Sequence, residues 1–370
     1  MRSTSGHHFA ALDHIRALAA FLVVTWHFAH GATGNPMFNQ APEIGLLDEG
    51  HVGVALFMVL SGFLFAKLIA GRSIVYPAFL WNRALRLLPL LLVVLLVVGL
   101  RDYSDNPLRY LKIVVTGAFL PHLPNGGWSI TTEAHFYLIL PILLRDSAKW
   151  RWAPIAMVGA AICFRLAILA SGATLQGLAY GTIVGRFDQF ALGIFFCQQR
   201  VTGRWAAAAL IGIVAVYSAF DLAGGFYAAP NWVWVILPTL EAVAFGALIS
   251  WYAANPIRSP KMWLVEKAGA YSYSIYLLHF FVVFEAAPLI DQHVMRFTSL
   301  YVALPWSLLF FVVMVGVGHL SFKLIEEPPL RFRKPYLVDP EALRGARGAG
   351  DMAGATVDDR RARELVDAAR

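Results

Sequence analysis

Apolar runs long enough to cross a bilayer recur from one end of this chain almost to the other, and they leave few architectures open. Crossing a hydrocarbon core of about 30 Å takes about 20 mainly apolar residues, in a helix that satisfies its own backbone hydrogen bonds. Such spans fall at about residues 11–31, 52–70, 85–100, 128–144, 152–171, 186–199, 205–222, 231–254, 269–288 and 301–324. Residues 186–199 are short for the purpose and need either Gly177–Gly185 or a thinner bilayer. Charged residues make up only 14% of the 370 and apolar ones 58%, whereas soluble domains are about 25% charged. The expected fold class is an all-α polytopic membrane protein of about ten transmembrane helices, surrounded by lipid.

Basic residues set the orientation. They fall at Arg72, Arg83 and Arg86, at Arg145, Lys149 and Arg151, at Arg200 and Arg204, at Arg258, Lys261 and Lys267, and at Arg331, Arg333 and Lys334. Cytoplasmic loops are enriched in Lys and Arg, so all of these are placed inside and both termini become cytoplasmic. Arg101, Arg109, Lys112 and Arg296 run against the contrast. Leu111–Leu123 is then too short to cross and return, and reads as a re-entrant or interfacial segment on the outer side. The net charge of +7 is accounted for by basic loops, and nucleic acid is not expected as a partner. The first span is interrupted by Asp13 and Arg16 and is too long for the core of a cleavable signal peptide. Residues 1–334 form the expected membrane domain, and 335–370, rich in Ala, Gly, Asp and Arg, a solvated cytoplasmic tail. Cys163 and Cys197 lie in apolar segments without ligand spacing, so no metal site is expected.

Ionisable residues inside such spans are costly and mark candidate function. Leu12–Gly31 carries Asp13, Arg16, His27 and His30. Arg16 and His27 are eleven residues apart, about three helical turns, which puts them on one stripe about 16 Å apart. Asp13 is placed to pair with Arg16 at i,i+3, and at about 21 Å below His27 it cannot orient that imidazole. A partner must come from another helix, with Glu133 the first choice. Glu133 and Tyr137 share a face at i,i+4. Glu133 lies twelve residues from Arg145, and His279 twelve from Lys267, which puts both about 18 Å above the inner boundary. Asp188, twelve from Arg200, joins them if its helix is regular. A shared polar cavity explains this common depth; polar residues satisfied for packing alone are the plainer alternative.

Arg83 and Arg86, at i,i+3 near a helix start, suit phosphate, although ordinary positive-inside anchoring is the favoured reading of these residues alone. Glu326 and Glu327 stand beside Arg331 and Arg333, as an interfacial salt bridge or a gate. No P-loop, HExxH, CxxC or GxSxG pattern occurs.

LDHIRALAAFLVVTWH, GVALFMVLSGFLF, WNRALRLLP, GWSITTEAHFYLILP, GRFDQFALG, GAYSYSIYLLH and LIEEPPLR occur in the order seen in the acyltransferase 3 family, which the chain resembles over its membrane region. One departure is Asn82, where the family often has an arginine paired with Arg83. The resemblance implies a bacterial inner-membrane O-acyltransferase. It would move an acyl group, commonly acetyl, from cytoplasmic acetyl-CoA or another acyl-CoA to a hydroxyl. The acceptor would be a carbohydrate, either polysaccharide or lipid-linked oligosaccharide. It points to His27 and Arg16 first, and then to Arg83, Arg86, Glu133, Tyr137, Arg186 and Glu326. In that chemistry His27 is the expected general base, with Glu133 orienting it; Arg16, Arg83, Arg86 and Arg186 would hold the donor. Two readings compete: a glycan or solute exporter using the same cavity, and an acyltransferase for a soluble small-molecule sugar.

Overall fold

The computed structural model describes residues 9–33, 41–150 and 152–338. The chain is helical almost throughout: α1 (Ala10–Thr33), α2 (Gly53–Ile69), α3 (Tyr76–Asp102), α4 (Pro107–Gly117), α5 (Trp128–Lys149) and α6 (Ala153–Ala170) come first. They are followed by α7 (Ile183–Cys197), α8 (Gly203–Leu222), α9 (Val233–Ala254), α10 (Trp263–Ala270), α11 (Ser272–His293) and α12 (Leu300–Ser321). Every stretch read as a span is helical. Among the described residues, seven helical segments are long and apolar enough to cross a membrane: Gly50–Ile69, α3, α6, α8, α9, α11 and Leu300–Glu326. Leu92, Leu96 and Leu100 of α3, Ile211 of α8 and Leu308 of α12 are exposed, so apolar surface faces outward where a soluble protein would place polar groups. This is an all-α membrane protein.

The core is organised around α2 and α7, which pack extensively on each other. A Cβ at Gly62 would lie 2.1 Å from the Phe190 carbonyl oxygen, and one at Gly193 would lie 2.1 Å from that of Val59. Only glycine lets the two backbones come this close. The arrangement also explains how the 15-residue α7 functions at sub-span length. Wedged among α2, α6 and α9, with Phe190, Ala191 and Ile194 fully buried, it meets protein where other helices meet lipid. The short helix Gln176–Gly181 precedes it, and Thr182 breaks the two apart by accepting from the Gly185 amide at 3.1 Å.

Asp188 does not join a shared polar cavity. It points between helices to Arg165, both side chains fully buried, at 2.6 Å. Arg165 also donates to the Gly185 carbonyl at 3.0 Å and to Thr239 Oγ1 at 2.7 Å, which ties α6, α7 and α9 together. A mid-helix cation on α6 takes the carboxylate that depth alone had assigned to the site.

In the segment expected to be re-entrant or interfacial, α4 is an 11-residue amphipathic helix capped by Asn106. Of its residues only Gly117 is buried. Past Lys334 the polypeptide still pairs with the body. Leu337–Val338 forms a two-residue antiparallel ladder with Ser73–Ile74, and Tyr336 is buried. The remainder of the expected tail, 339–370, lies outside the described residues.

Candidate active site

α1 places Asp13 and Arg16 at the wall of a cavity of about 630 Å³. Arg83 and Arg86 from α3, Glu133 and Tyr137 from α5, Tyr273 and Tyr276 from α11, and Arg331 and Arg333 after α12 complete that wall. Asp13 takes its expected role as partner of Arg16, at 2.6 Å. The mouth is cationic beyond what its own carboxylates neutralise. Burial and the neighbouring Arg83 and Arg86 push the Arg333 guanidinium down to about 10, so it stays charged at neutral pH while being repelled. The Nε atoms of Arg83 and Arg333 are buried without a hydrogen-bond partner among the described residues. Crowded guanidinium groups with unused N–H donors suit phosphate.

Glu326 does not pair with Arg331 or Arg333 beside it. A π-helical turn at Phe322–Glu326 swings it inward, where it binds Arg86 at 2.7 Å and accepts from Ser274. Glu327 pairs instead with Lys323. Asn82, the departure from the family pattern, is fully buried and holds the Lys334 backbone at both ends, donating to its carbonyl at 2.6 Å and accepting from its amide at 2.9 Å. An arginine has no acceptor for the second bond. Asn82 therefore fastens the strap that carries Arg331 and Arg333 over the cavity.

The imidazole of His27 meets His279, not Glu133. His27 Nδ1 lies 2.9 Å from the Val23 carbonyl and 3.1 Å from His279 Nε2. His279 Nδ1 lies 2.6 Å from the Tyr276 carbonyl and 3.2 Å from that of Ile275. A carbonyl can only accept, so both Nδ1 atoms carry the proton. His279 Nε2 is then a lone pair that accepts from His27 Nδ1–H, and His27 Nε2 is left as a free base. His279 is fully buried and fixed by its own turn of α11. Glu133 faces another way, accepting from Tyr137 and, at 3.5 Å, from Ser61. Arg186, expected with the other arginines, is separated from them. It donates to the Tyr180 carbonyl and to Gln189 at 2.9 Å, and stacks on Tyr180 at 4.4 Å.

Phe57, Ser129 and Tyr276 also line the cavity, the last bonded to Ser129 at 2.8 Å and one turn from His279. One cavity is thus lined both by the guanidinium cluster and by a residue next to the histidine pair. Arg333, Asn82 and Tyr276 were not singled out as site residues in the sequence. The RFRK run was the visible signal for Arg333, but its neighbours Glu326 and Glu327 suggested a local pairing. Among the described residues, no group of three or more His, Cys, Asp or Glu side chains could hold a metal ion.

The acyltransferase 3 profile, described as an acyltransferase domain, matches residues 9–321. A Komagataeibacter xylinus protein named as a membrane-bound transacylase, BcsY, is 26% identical over 87% of this chain and 83% of its own. The peptidoglycan O-acetyltransferase OatA of Listeria monocytogenes is 23% identical over 86% of this chain and 55% of its own. The acyltransferase MdmB of Streptomyces mycarofaciens is 24% identical over 90% and 95%. No solved structure matches. A profile that runs from α1 to the end of α12 and takes in the histidine pair makes this chain a member of the acyltransferase 3 family.

Proposed function

We propose that the chain transfers an acyl group, acetyl in the first instance, from cytoplasmic acyl-CoA to a hydroxyl of a cell-envelope carbohydrate, such as a polysaccharide or lipid-linked oligosaccharide. One observation carries this reading: a single cavity leads from the Arg83–Arg333 cluster to the turn of α11 that holds His279 against His27. Residues from the start of α1, the first half of α3 and the strap after α12 line this one cavity, which accords with the parity that ten spans with both termini cytoplasmic would give. The exposed, amphipathic α4 supports an interfacial position over a re-entrant one, because a re-entrant segment is buried in protein. The name of OatA supports a glycan acceptor.

In this mechanism the CoA phosphates engage Arg83, Arg333 and Arg16, and the pantetheine arm follows α1 upward. His27 Nε2 takes the acceptor's hydroxyl proton as that oxygen attacks the thioester carbonyl carbon. The C–S bond breaks, and sulfur leaves as the thiol with the proton returned from His27 Nε2. His279 accepts from Nδ1–H throughout, holding the tautomer and sharing the charge of the transient imidazolium.

Incubation of the purified protein in nanodiscs with acetyl-CoA should release free thiol only when acceptor-bearing membranes are added. Absence of thiol release would favour the exporter. Arg333→Ala should raise KM for acetyl-CoA at least about 10-fold with little change in kcat, since a hydrogen bond to a charged group contributes about 1.5–3 kcal/mol. An unchanged KM removes Arg333 from the donor site. His279→Phe should lower kcat about 10- to 100-fold at constant KM, the loss typical of a group that orients an imidazole. His279→Gln, which keeps an acceptor, should lose less; equal losses would assign His279 to packing.

A further inference from the structure

His27 retains accessible surface, yet it is not part of the inner cavity's wall. Its open side therefore belongs to a different approach. Around Trp26, the residue next to His27 on α1, the surroundings are aromatic and acidic instead of cationic. The Trp26 indole, 8% exposed, is surrounded by the rings of His30 at 5.4 Å, His51 at 5.6 Å, Phe226 at 5.5 Å and Tyr227 at 6.1 Å. Tyr227 lies nearly parallel to the indole, at 14°, and is 48% exposed, so one ring face remains open. Trp26 is also in edge contact with His27 at 4.7 Å.

The cluster is anchored by the protein. Glu49 accepts from the Phe226 amide through both carboxylate oxygens, at 3.1 and 3.2 Å. This pins the Gly225–Ala228 turn between α8 and α9 onto the segment that leads into α2. Gly225 has φ +61°, and a Cβ there would lie 1.7 Å from Glu49 Oε1, so the turn can take only glycine. Polar atoms in the cluster are nonetheless unused. Among the described residues, Trp26 Nε1, His51 Nε2, His30 Nδ1 and Asp48 Oδ1 are buried without a hydrogen-bond partner. Buried polar groups in native proteins are normally paired, and four in one place call for a ligand with many hydroxyls.

Resting on the acyl-transfer reading, we infer that the face formed by Trp26, His30, His51, Phe226 and Tyr227, edged by Asp48, binds the acceptor as an uncharged pyranose ring. The apolar C–H face of a pyranose stacks on an aromatic ring, and its hydroxyls both donate and accept. Carboxylates accept, the indole N–H donates, and imidazole does either. Asp48, Glu49 and Asp221 gather at the edge of this face, which sets it apart from the arginine-lined cavity. The two substrates thus reach His27 from opposite ends of α1, and the ring nitrogen left free by His279 faces the acceptor.

The test uses full-length protein reconstituted with isolated membranes that carry the endogenous acceptor, and labelled acetyl-CoA. Tyr227→Ala should raise the acceptor concentration needed for half-maximal transfer at least about 10-fold, with KM for acetyl-CoA unchanged, and Tyr227→Phe should restore transfer. A wild-type acceptor dependence in Tyr227→Ala would overturn the site. Thiol release by wild-type protein in the same assay separates this outcome from failure of the acyl-transfer reading, in which no variant or parent releases thiol.

Discussion

His27→Ala should abolish acyl transfer to the acceptor while the protein accumulates and inserts normally. The expected loss is about 10²- to 10⁴-fold, the range that a positioned general base supplies. The geometry makes this variant informative because the side chain has few structural duties. Among the described residues its one inter-helical hydrogen bond is to His279 and its other is with the carbonyl of Val23 in its own helix, beside ring contacts with Trp26, Phe280 and Phe284. Removing it leaves His279 Nε2 without a donor, an acceptor-side vacancy that water can fill. The measurement is acetyl transfer from labelled acetyl-CoA beside quantified protein in the membrane fraction. His27→Gln keeps an amide donor for His279 and should be as inactive as alanine, since Gln has no proton-accepting nitrogen. Transfer retained in either variant would remove His27 from the chemistry. Both variants should still bind acetyl-CoA, because the arginine cluster is three turns away along α1.

What the sequence revealed about this site divides along a physical line. Relations within one helix were legible. The Arg16–His27 spacing and the Asp13–Arg16 pair follow from helical rise and rotation, and the structure keeps the latter at 2.6 Å. The helical class followed from apolar run length. Relations between helices were legible only in one coordinate. Counting from a basic residue gives height in the membrane, and it brought His27 and His279 to the same level, where they meet at 3.1 Å. It gives no azimuth. Glu133 turns toward Ser61 and Tyr137, and Asp188 toward Arg165. Contacts that no depth count reaches were not legible at all, such as Asn82 with Lys334 and Arg86 with Glu326. The carboxylates Glu326 and Glu327 gave a local reading of the RFRK run that only the π-helical turn overturns.

These misplaced pairings also explain why the arginine cluster can act on a ligand. If Glu326 and Glu327 had neutralised Arg331 and Arg333, the mouth would hold two closed ion pairs and little unused donor capacity. With Glu326 drawn to Arg86 and Glu327 to Lys323, Arg333 is left beside Arg83 with its Nε unused. The strap that carries it is held by Asn82, so the residue that departs from the family pattern governs where this cation stands. Arginines outnumber carboxylates at one end of α1, and Asp48, Glu49 and Asp221 cluster at the other. That polarity suits a bisubstrate site in which an anionic donor and a neutral acceptor must not exchange places.

Asp188→Ala separates the two meanings that a buried carboxylate can have in such a bundle. Here the expected result is loss of the fold, by about 3–5 kcal/mol, because Arg165 would remain as an unneutralised cation at full burial. The Gly185 carbonyl and Thr239 hydroxyl would stay as its neutral partners, and neither balances its charge. Unfolding in detergent, followed by a scan of protein remaining in solution after heating, should show a transition lowered by many degrees. Arg165→Met combined with Asp188→Leu should recover much of the loss, since a well-packed apolar pair often matches a buried ion pair in stability. Recovered protein should then be active. An Asp188→Ala variant that melts like the parent yet fails to transfer acetyl would return Asp188 to the reaction. A double variant that is stable but inactive would mean that α7 must hold charge at this position to shape the site. The predicted pattern, unstable single and active double, follows from geometry alone: Asp188 lies where three helices meet, and its carboxylate belongs to their packing.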